Sequence, residues 1–366
     1  MKYSYQNENW PSFTWDATAL QSLLGEVRNR QGKLMGKMEA MGFALQEQAL
    51  LDTLTVDVLK SSEIEGELLN TDQVRSSIAR HLGMDITGLV PSDRNVDGVV
   101  EMMLDATQNF NSALSKDRLF GWHNCLFPTG RSGMYKINIG RWRTDDNGPM
   151  QVVSGGFGRE KIHFQAPDAI LLEKEMNQFL DWFSNEKTLD PVLKAGIAHL
   201  WFITLHPFDD GNGRIARAIT DMQLCKADGS SKRFYSMSAQ ILLQRNEYYT
   251  ILEQTQKGNL GITKWLQWFF ENLLAALNAT NSTLEQVLSK ASFWEKHNNI
   301  SLNERQKLLL NKMLDGFEGK LTTTKWAKIT KCSPDTALRD IQYLISKEIL
   351  MKDDKGGRST SYTIIM

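Results

Sequence analysis

Residues 190–217 read DPVLKAGIAHLWFITLHPFDDGNGRIAR, and no other stretch restricts the fold as strongly. Asp190 before Pro191 is an N-cap followed by a first-turn proline, so a helix starts there. Leu193, Ile197, Leu200 and Thr204 recur on its apolar face. Helical spacing resumes from Asn212 to Cys225, with Ile215, Ile219 and Met222 inward. At the joint, His206 to Arg217 places a histidine, two acids, two glycines, an amide and two arginines within twelve residues. The chain must fold so that an apolar helix delivers a polar, flexible loop to the start of a second helix.

The residue types at that joint converge on phosphate chemistry. A helix N-terminus presents free N–H groups and the positive end of a dipole. Gly211 and Gly213 let the backbone approach an anion with no Cβ in the way. Arg214 and Arg217 add positive charge where a helix disfavours it, a conflict that an incoming polyanion resolves. Asp210 is a hard-oxygen ligand suited to Mg²⁺, and His206 is able to take a proton from a hydroxyl near neutral pH. A calcium loop counted from Asp210 would need Gly and Glu where Ile215 and Asp221 stand. The GK[ST] of a Walker loop is absent. Each residue also has an ordinary structural use: a histidine before a proline, or glycines that turn the chain.

The rest of the chain reads as helical and soluble. Its 366 residues suit two or three domains, and 41% hydrophobic residues against 23% charged suit packed cores. The net charge of −1 gives no general attraction to polyanions, so any nucleic-acid face must be local. Cys125, Cys225 and Cys332 are far apart and odd in number, which excludes a readable disulfide framework or zinc site. The N-terminus lacks a signal pattern, and no apolar run approaches a membrane span of about 18 residues. A cytoplasmic location and no membrane partner are expected.

Leu51, Leu54 and Val58 mark a helix running into SSEIEGE, where Gly66 can end it. Thr71 is read as the next N-cap, with Val74, Ile78 and Leu82 inside. Leu172, Met176, Phe179 and Phe183 form another amphipathic face. Between 139 and 164, MQVVSG and KIHF read as a small hairpin. After Asn298 the pattern predicts a helix capped by Asn303, a second over 323–329 and a third capped by Ser333-Pro334. The third has Leu338, Ile341, Leu344 and Ile345 inward. Two strands around a Gly-Gly turn close the chain, which is the winged helix-turn-helix plan.

HPFDDGNGRIAR also resembles a known signature, HxFx[DE]GNGRxxR of the Fic family, at every specified position. The resemblance implies a mainly α fold: a Fic helical core with a β-hairpin flap, plus a C-terminal winged-helix domain. It divides the chain into an N-terminal region with an inhibitory motif (1–94), a catalytic core (95–290) and a winged helix (300–366). It implies AMP transfer from ATP, with Mg²⁺, to a Ser, Thr or Tyr hydroxyl of a target protein, the chain itself included. His206 is then the base, and Asp210 the metal ligand. Gly211, Asn212 and Gly213 form the anion cradle, Arg214 holds phosphate oxygens, and Arg217 meets the γ-phosphate. Phe208 anchors the loop. Val153, Ser154 and Gly155 lie in the flap. Tyr248 and Tyr249 fall at the adenine pocket, with helix packing as the alternative.

Ser61, Glu65 and Gly66 fit [ST]xxxE[GN], the family's inhibitory motif, whose carboxylate would pair with Arg217. The alternative is an ordinary solvated helix face. In such proteins this glutamate also assists AMP removal, so reversed activity is included. Two other functions stay open. One is a DNA-binding regulator with the core as sensor. Eight Lys/Arg against five Asp/Glu from Leu321 to Met366 give that tail +3; the hairpin turn carries Lys355 and Arg358, and Arg339 can project from the third helix, which also carries Asp335 and Asp340. The other is a Fic enzyme using another nucleoside triphosphate. The oligomeric state is open.

Overall fold

The computed structural model describes residues 2–84, 88–146, 148–155, 159, 161–314, 319–353 and 360–365, with backbone alone at 44, 281–283, 285–288 and 291. The chain divides into two units, Met1–Ala279 and Thr280–Met366. The division falls inside one long helix.

The first unit opens with α1 (Ala17–Glu39), α2 (Phe43–Ile64), α3 (Thr71–His81), α4 (Arg94–Gln108) and α5 (Lys116–Leu126). Two antiparallel hairpins follow, β1 (Arg131–Ser132) with β2 (Tyr135–Lys136), and β3 (Gln151–Ser154) with β4 (Lys161–Gln165). Then come α6 (Leu172–Asn185), α7 (Pro191–Leu205), α8 (Asn212–Asp228), α9 (Met237–Leu243), α10 (Arg245–Gln256) and α11 (Thr263–Lys296). No helix among the described residues is long and apolar enough to cross a membrane.

Helix α7 is buried on every side from Val192 to Leu205, so it forms the centre of the unit. Asp190 caps it by accepting from the Val192 amide at 2.8 Å. Gly196 lets α11 approach: a Cβ there would stand 3.0 Å from Leu266 and 3.2 Å from Phe269. Helix α8 packs along α7, and α2 packs across α9, α3 and α8.

Helix α2 explains itself only in this setting. Thr55, Asp57, Ser61 and Ser62 are all buried, so these four polar residues do not belong to a solvated face. Asp57 accepts from Ser236 Oγ at 2.5 Å. Buried Arg233 pairs with buried Asp221 in the same region. Burial raises the Asp221 pKa well above the usual carboxylate range, Arg233 opposes the rise, and Asp57 adds to it.

Several local expectations are corrected. Asn70, not Thr71, caps α3, because its side chain accepts from the Gln73 amide at 3.0 Å and Thr71 is already helical. Leu82 lies past the end of α3 and is half-buried.

The second unit contains the rest of α11, then α12 (Glu304–Leu314), β5 (Leu321–Thr322), α13 (Thr323–Thr330), α14 (Pro334–Ser346), β6 (Leu350–Lys352) and β7 (Ser361–Ile364). Strand β5 adds a third strand to the two that the sequence predicts. It pairs with β7, giving the antiparallel order β5-β7-β6. The core is built on Trp326, Leu309, Leu310, Ile341 and Leu344. Asn303 caps α12 through the Gln306 amide at 2.9 Å. On α14 the buried stripe is Ala337, Ile341 and Leu344, whereas Leu338 is 39% exposed. The i, i+4, i+7 stripe passes through 337, which puts 338 at its edge. Asp340 is buried against Arg305 at 2.9 Å rather than beside exposed Arg339. Lys355, Arg358 and the Gly-Gly turn lie outside the described residues.

The crossing of α4 and α5 gives a stability test. A Cβ on Gly98 would stand 1.9 Å from the Cys125 carbonyl oxygen, whereas nothing lies within 4 Å of one on exposed Gly25 in α1. Gly98→Ala is expected to cost about 1–3 kcal/mol or more, and Gly25→Ala to stabilise by about 0.5–1 kcal/mol. Urea unfolding followed by circular dichroism checks both signs.

Candidate active site

The joint between α7 and α8 is built from two left-handed residues. His206 closes α7 at φ 48°, and Gly211 opens α8 at φ 79°. A Cβ on Gly211 would meet the Phe127 ring at 2.9 Å, so both its conformation and its neighbours require glycine. Asn212 clamps the loop: its Oδ1 accepts from the Phe208 amide at 3.0 Å and its Nδ2 donates to the Phe208 carbonyl at 2.8 Å. Its side chain is therefore spent on the loop, and only its backbone is left to face an anion. Phe208 is fully buried and stacks on His123 at 4.3 Å, with rings 10° apart.

His206 has one ring nitrogen without a hydrogen-bond partner among the described residues. Its Nδ1 lies 3.2 Å from the Ile203 carbonyl, so Nδ1 carries the proton and Nε2 keeps its lone pair. Burial pushes its pKa below 6.5, against the pull of that carbonyl. The backbone of His206 is held from outside the signature. Buried Arg143 donates from Nε to the His206 carbonyl at 2.8 Å, and its amide donates to the Pro207 carbonyl at 2.9 Å.

Asp210 is oriented at both oxygens. Gly211 N–H donates to Oδ1 at 2.6 Å, and Ser132 Oγ donates to Oδ2. His123 fixes its backbone. Gly140 N–H donates to Nδ1 at 3.3 Å, which places the proton on Nε2, 3.2 Å from the Asp210 carbonyl. Burial lowers the His123 pKa to about 4, so the ring stays neutral. Asp209 accepts from the Asn138 amide at 2.7 Å and supports the same turn.

The N-terminus of α8 has no side-chain cap of its own. The carboxylate of Glu65 lies there instead. A Cβ on Gly213 would fall 2.1 Å from Glu65 Oε1, and that oxygen is 2.7 Å from Arg217 Nη2. Ser61 completes the pair, accepting from Arg217 Nε at 2.9 Å through Oγ and from Nη2 at 2.8 Å through its carbonyl. Burial alone would lower the Arg217 pKa, but the Glu65 charge overrides it and raises the pKa. Gly66 follows at φ 86° and turns the chain out of α2. The end of α2 is tied to α10: Arg245 Nε donates to the Ile64 carbonyl at 2.7 Å, and Tyr249 OH lies 3.4 Å from it.

Sequence reasoning missed a second acid. Glu67 Oε2 accepts from Arg214 Nη1 at 2.5 Å, and the same guanidinium lies over the Phe127 ring at 5.1 Å. Both signature arginines are thus buried and paired with carboxylates two residues apart. Among the described residues, buried Arg214 Nε and Arg217 Nη1 have no hydrogen-bond partner, and such donors fit a bound anion. The repeated acid in EGE was the available signal. His123, Ser132 and Arg143 left none, because they reach the loop only through the fold.

The remaining expected residues separate. Tyr248 is buried, its hydroxyl 2.8 Å from His199 Nε2, and burial raises its pKa. It belongs to the core, not to an open pocket. His199 Nδ1 lies 2.9 Å from Thr220 Oγ1, and burial lowers that ring to about 3. Tyr249 faces the end of α2. Val153 and Ser154 are exposed at the end of β3, and Gly155 follows at φ 107°. The hairpin is tied to α10 by His163, whose Nε2 is 2.6 Å from Ser154 Oγ and whose Nδ1 is 2.6 Å from Glu253 Oε2.

Residues 113–224 match the model of the Fic/DOC family, and residues 3–84 match a domain of unknown function (DUF4172). The chain is 28% identical over 213 residues to "Protein adenylyltransferase fic-1" of Caenorhabditis elegans, covering 57% of this chain and 38% of that protein. It is 34% identical over 93 residues to "Protein adenylyltransferase Fic" of Nematostella vectensis, covering 24% of this chain and 20% of that one. It thus spans 38% of the length of the worm relative and less of the other. Among solved structures, a Fic family protein from Desulfovibrio desulfuricans G20 superposes with TM-score 0.56 at 19% identity, over 97% of this chain and 98% of that one. A Fic domain protein from Bacteroides thetaiotaomicron gives TM-score 0.51 at 17% identity, over 71% and 95%. These two likenesses bear on the fold.

The paired arginines predict how a polyanion binds. Tripolyphosphate affinity, measured by calorimetry, is expected to rise about tenfold in Glu65→Gly, since a partly buried charged pair is worth about 1.5–3 kcal/mol. In Glu67→Gln it is expected to rise about threefold, because that glutamate is 45% exposed and solvent screens it.

Proposed function

The chain carries a Fic/DOC-family domain, and from that premise we propose that it is a self-inhibited protein adenylyltransferase. It would transfer AMP from ATP to a hydroxyl of a target protein, its own hydroxyls included. The observation that carries the proposal is the Glu65 carboxylate lodged at the start of α8 against Gly213 and Arg217. A helix N-terminus with two arginines is made for an anion, and here the chain supplies one of its own.

Each residue then has a task. His206 Nε2 takes the proton from the acceptor hydroxyl, in the tautomer that the Ile203 carbonyl holds. The amides opening α8, together with Arg214 and Arg217, bind phosphate oxygens. Glu65 occupies the Arg217 face that the γ-phosphate needs, so ATP enters with its α-phosphate misaligned for in-line attack. Asp210 is the residue that would hold Mg²⁺. Among the described residues, no group of three or more His, Cys, Asp and Glu is placed to hold a metal ion by itself. A single carboxylate plus phosphate oxygens is a usual way to hold that ion. When bound, it would offset negative charge on the phosphates. The flap, Val153 to Gly155, would align the target segment. Removal of AMP, assisted by Glu65, is the reverse direction of the same site. These residues read phosphate rather than base, so the choice of ATP rests on the names of the relatives. For residues 300–366 we retain the winged-helix reading, as a module for a separate partner.

Glu65→Gly is expected to raise AMP transfer roughly ten- to a hundredfold, from about 1–3 kcal/mol of released pairing. Adding Arg217→Ala should lose most of the gain. Intact-mass measurement after incubation with each Mg-nucleoside triphosphate checks this, and equal rates for wild type and Glu65→Gly would return Glu65 to a purely structural role. His206→Ala should abolish transfer with nucleotide binding nearly intact. Because burial lowers the His206 pKa, its base form persists below pH 6.5. The acid limb of the Glu65→Gly rate profile should therefore fall below that pH. A limb above it would mean another base.

A further inference from the structure

The β1–β2 hairpin buries almost nothing. Between Arg131 and Lys136 only Ser132 is half-buried, and the rest are exposed, Met134 and Tyr135 among them. Two strands this short do not hold themselves together in water. The signature loop holds them instead. Ser132 Oγ donates to Asp210 Oδ2. Past the other end of the hairpin, Asn138 donates twice to Asp209 Oδ2, from its amide at 2.7 Å and from Nδ2 at 3.0 Å. The turns that aim Ser132 inward use Gly130 at φ 72° and Gly133 at φ 55°, and the Ile137 amide closes them on the Gly130 carbonyl at 3.1 Å.

These bonds treat two neighbouring acids differently. Asp209 takes both Asn138 donors on one oxygen. Asp210 takes one donor on each oxygen, the Gly211 amide at 2.6 Å on Oδ1 and Ser132 on Oδ2. A carboxylate offers about four lone-pair sites on its two oxygens. Asp210 therefore keeps an acceptor site on each oxygen while its plane is fixed from both sides. The Gly211 amide alone would hold one oxygen and leave the group able to rotate about its Cβ–Cγ bond. A small hard cation is sensitive to that freedom, because it demands near-ideal octahedral geometry from the few protein ligands it accepts.

Resting on the reading of Asp210 as the metal ligand, we propose that Ser132 is a positioning residue for the divalent cation, supplied by a hairpin outside the signature. Its hydroxyl acts through Asp210 rather than on the cation itself. It holds the carboxylate in the orientation that binds, while Asn138 keeps Asp209 out of that role. A group hydrogen-bonded to a ligating carboxylate tunes metal affinity through the ligand, and its loss costs roughly ten- to a hundredfold.

The test uses the full-length chain carrying Glu65→Gly, so that the anion cradle is open, with Mn²⁺ standing in for Mg²⁺ as another cation suited to carboxylate oxygens. Calorimetry gives the affinity for tripolyphosphate with saturating Mn²⁺ and with no divalent cation, and the quantity read is the ratio of the two. Adding Ser132→Ala is expected to lower that ratio roughly ten- to a hundredfold, through the Mn²⁺ arm alone. Ser132→Thr, which keeps the hydroxyl, should restore it. Asp210→Asn should lose as much or more. Circular dichroism checks folding, and Ser132→Cys, similar in size but a weak donor, carries the test if alanine disturbs the hairpin. A ratio that the Ser132 variants leave unchanged and Asp210→Asn lowers overturns the proposal and leaves Asp210 as the ligand. Equal losses in both arms also overturn it, since the hairpin then only shapes the loop. A ratio that Asp210→Asn leaves unchanged removes Asp210 from the metal, and the proposal with it.

Discussion

One carboxylate organises the functional end of this molecule. Glu65 sits at the amino end of α8, where helix amides and Arg217 would otherwise face an unbalanced positive region. Satisfying that region with a side chain from α2 demands that α2 itself be packed to its last turn. Its serines and Asp57 are buried, and Arg245 donates to the Ile64 carbonyl. Gly66 then releases the chain at a positive φ, and Glu67 returns to Arg214. The N-terminal helices and the signature loop are therefore one electrostatic unit, not a core with a separate appendage.

Charge within the site is strictly placed. Burial lowers the pKa of His123, His199 and His206, so the three rings remain neutral hydrogen-bonding groups. Neutral rings leave the arginines as the positive charges, with Glu65 and Glu67 as the acids paired to them. Of these three rings, only His206 has a nitrogen with no hydrogen-bond partner among the described residues. The other two are committed at both nitrogens, His123 to Gly140 and Asp210, His199 to Thr220 and Tyr248. Packing thus decides which histidine is able to exchange a proton.

The flap is coupled to the same machinery through α10. That helix carries Tyr249 and Arg245 against the end of α2, and Glu253 against His163 in the hairpin. A change at either end has a short, rigid path to the other, because these residues lie within three helical turns of one another.

Local periodicity and end signals made most helices legible. The Asp190-Pro191 start, the α7–α8 joint and the β3–β4 hairpin all follow from short-range rules. Errors came where neighbouring residues compete for one role, as with Asn70 against Thr71 or Ala337 against Leu338. Strand β5 was invisible because two residues carry no period, and its partner β7 lies about forty residues away. By itself the sequence determined that a Fic-type signature loop and an acidic helix end exist in one chain. Only the tertiary structure decided that Glu65 and Glu67 fill Arg217 and Arg214, that Tyr248 is core, and that His123, Ser132 and Arg143 hold the loop. Those contacts join residues far apart in sequence, and their geometry comes from helix packing, which no local pattern encodes.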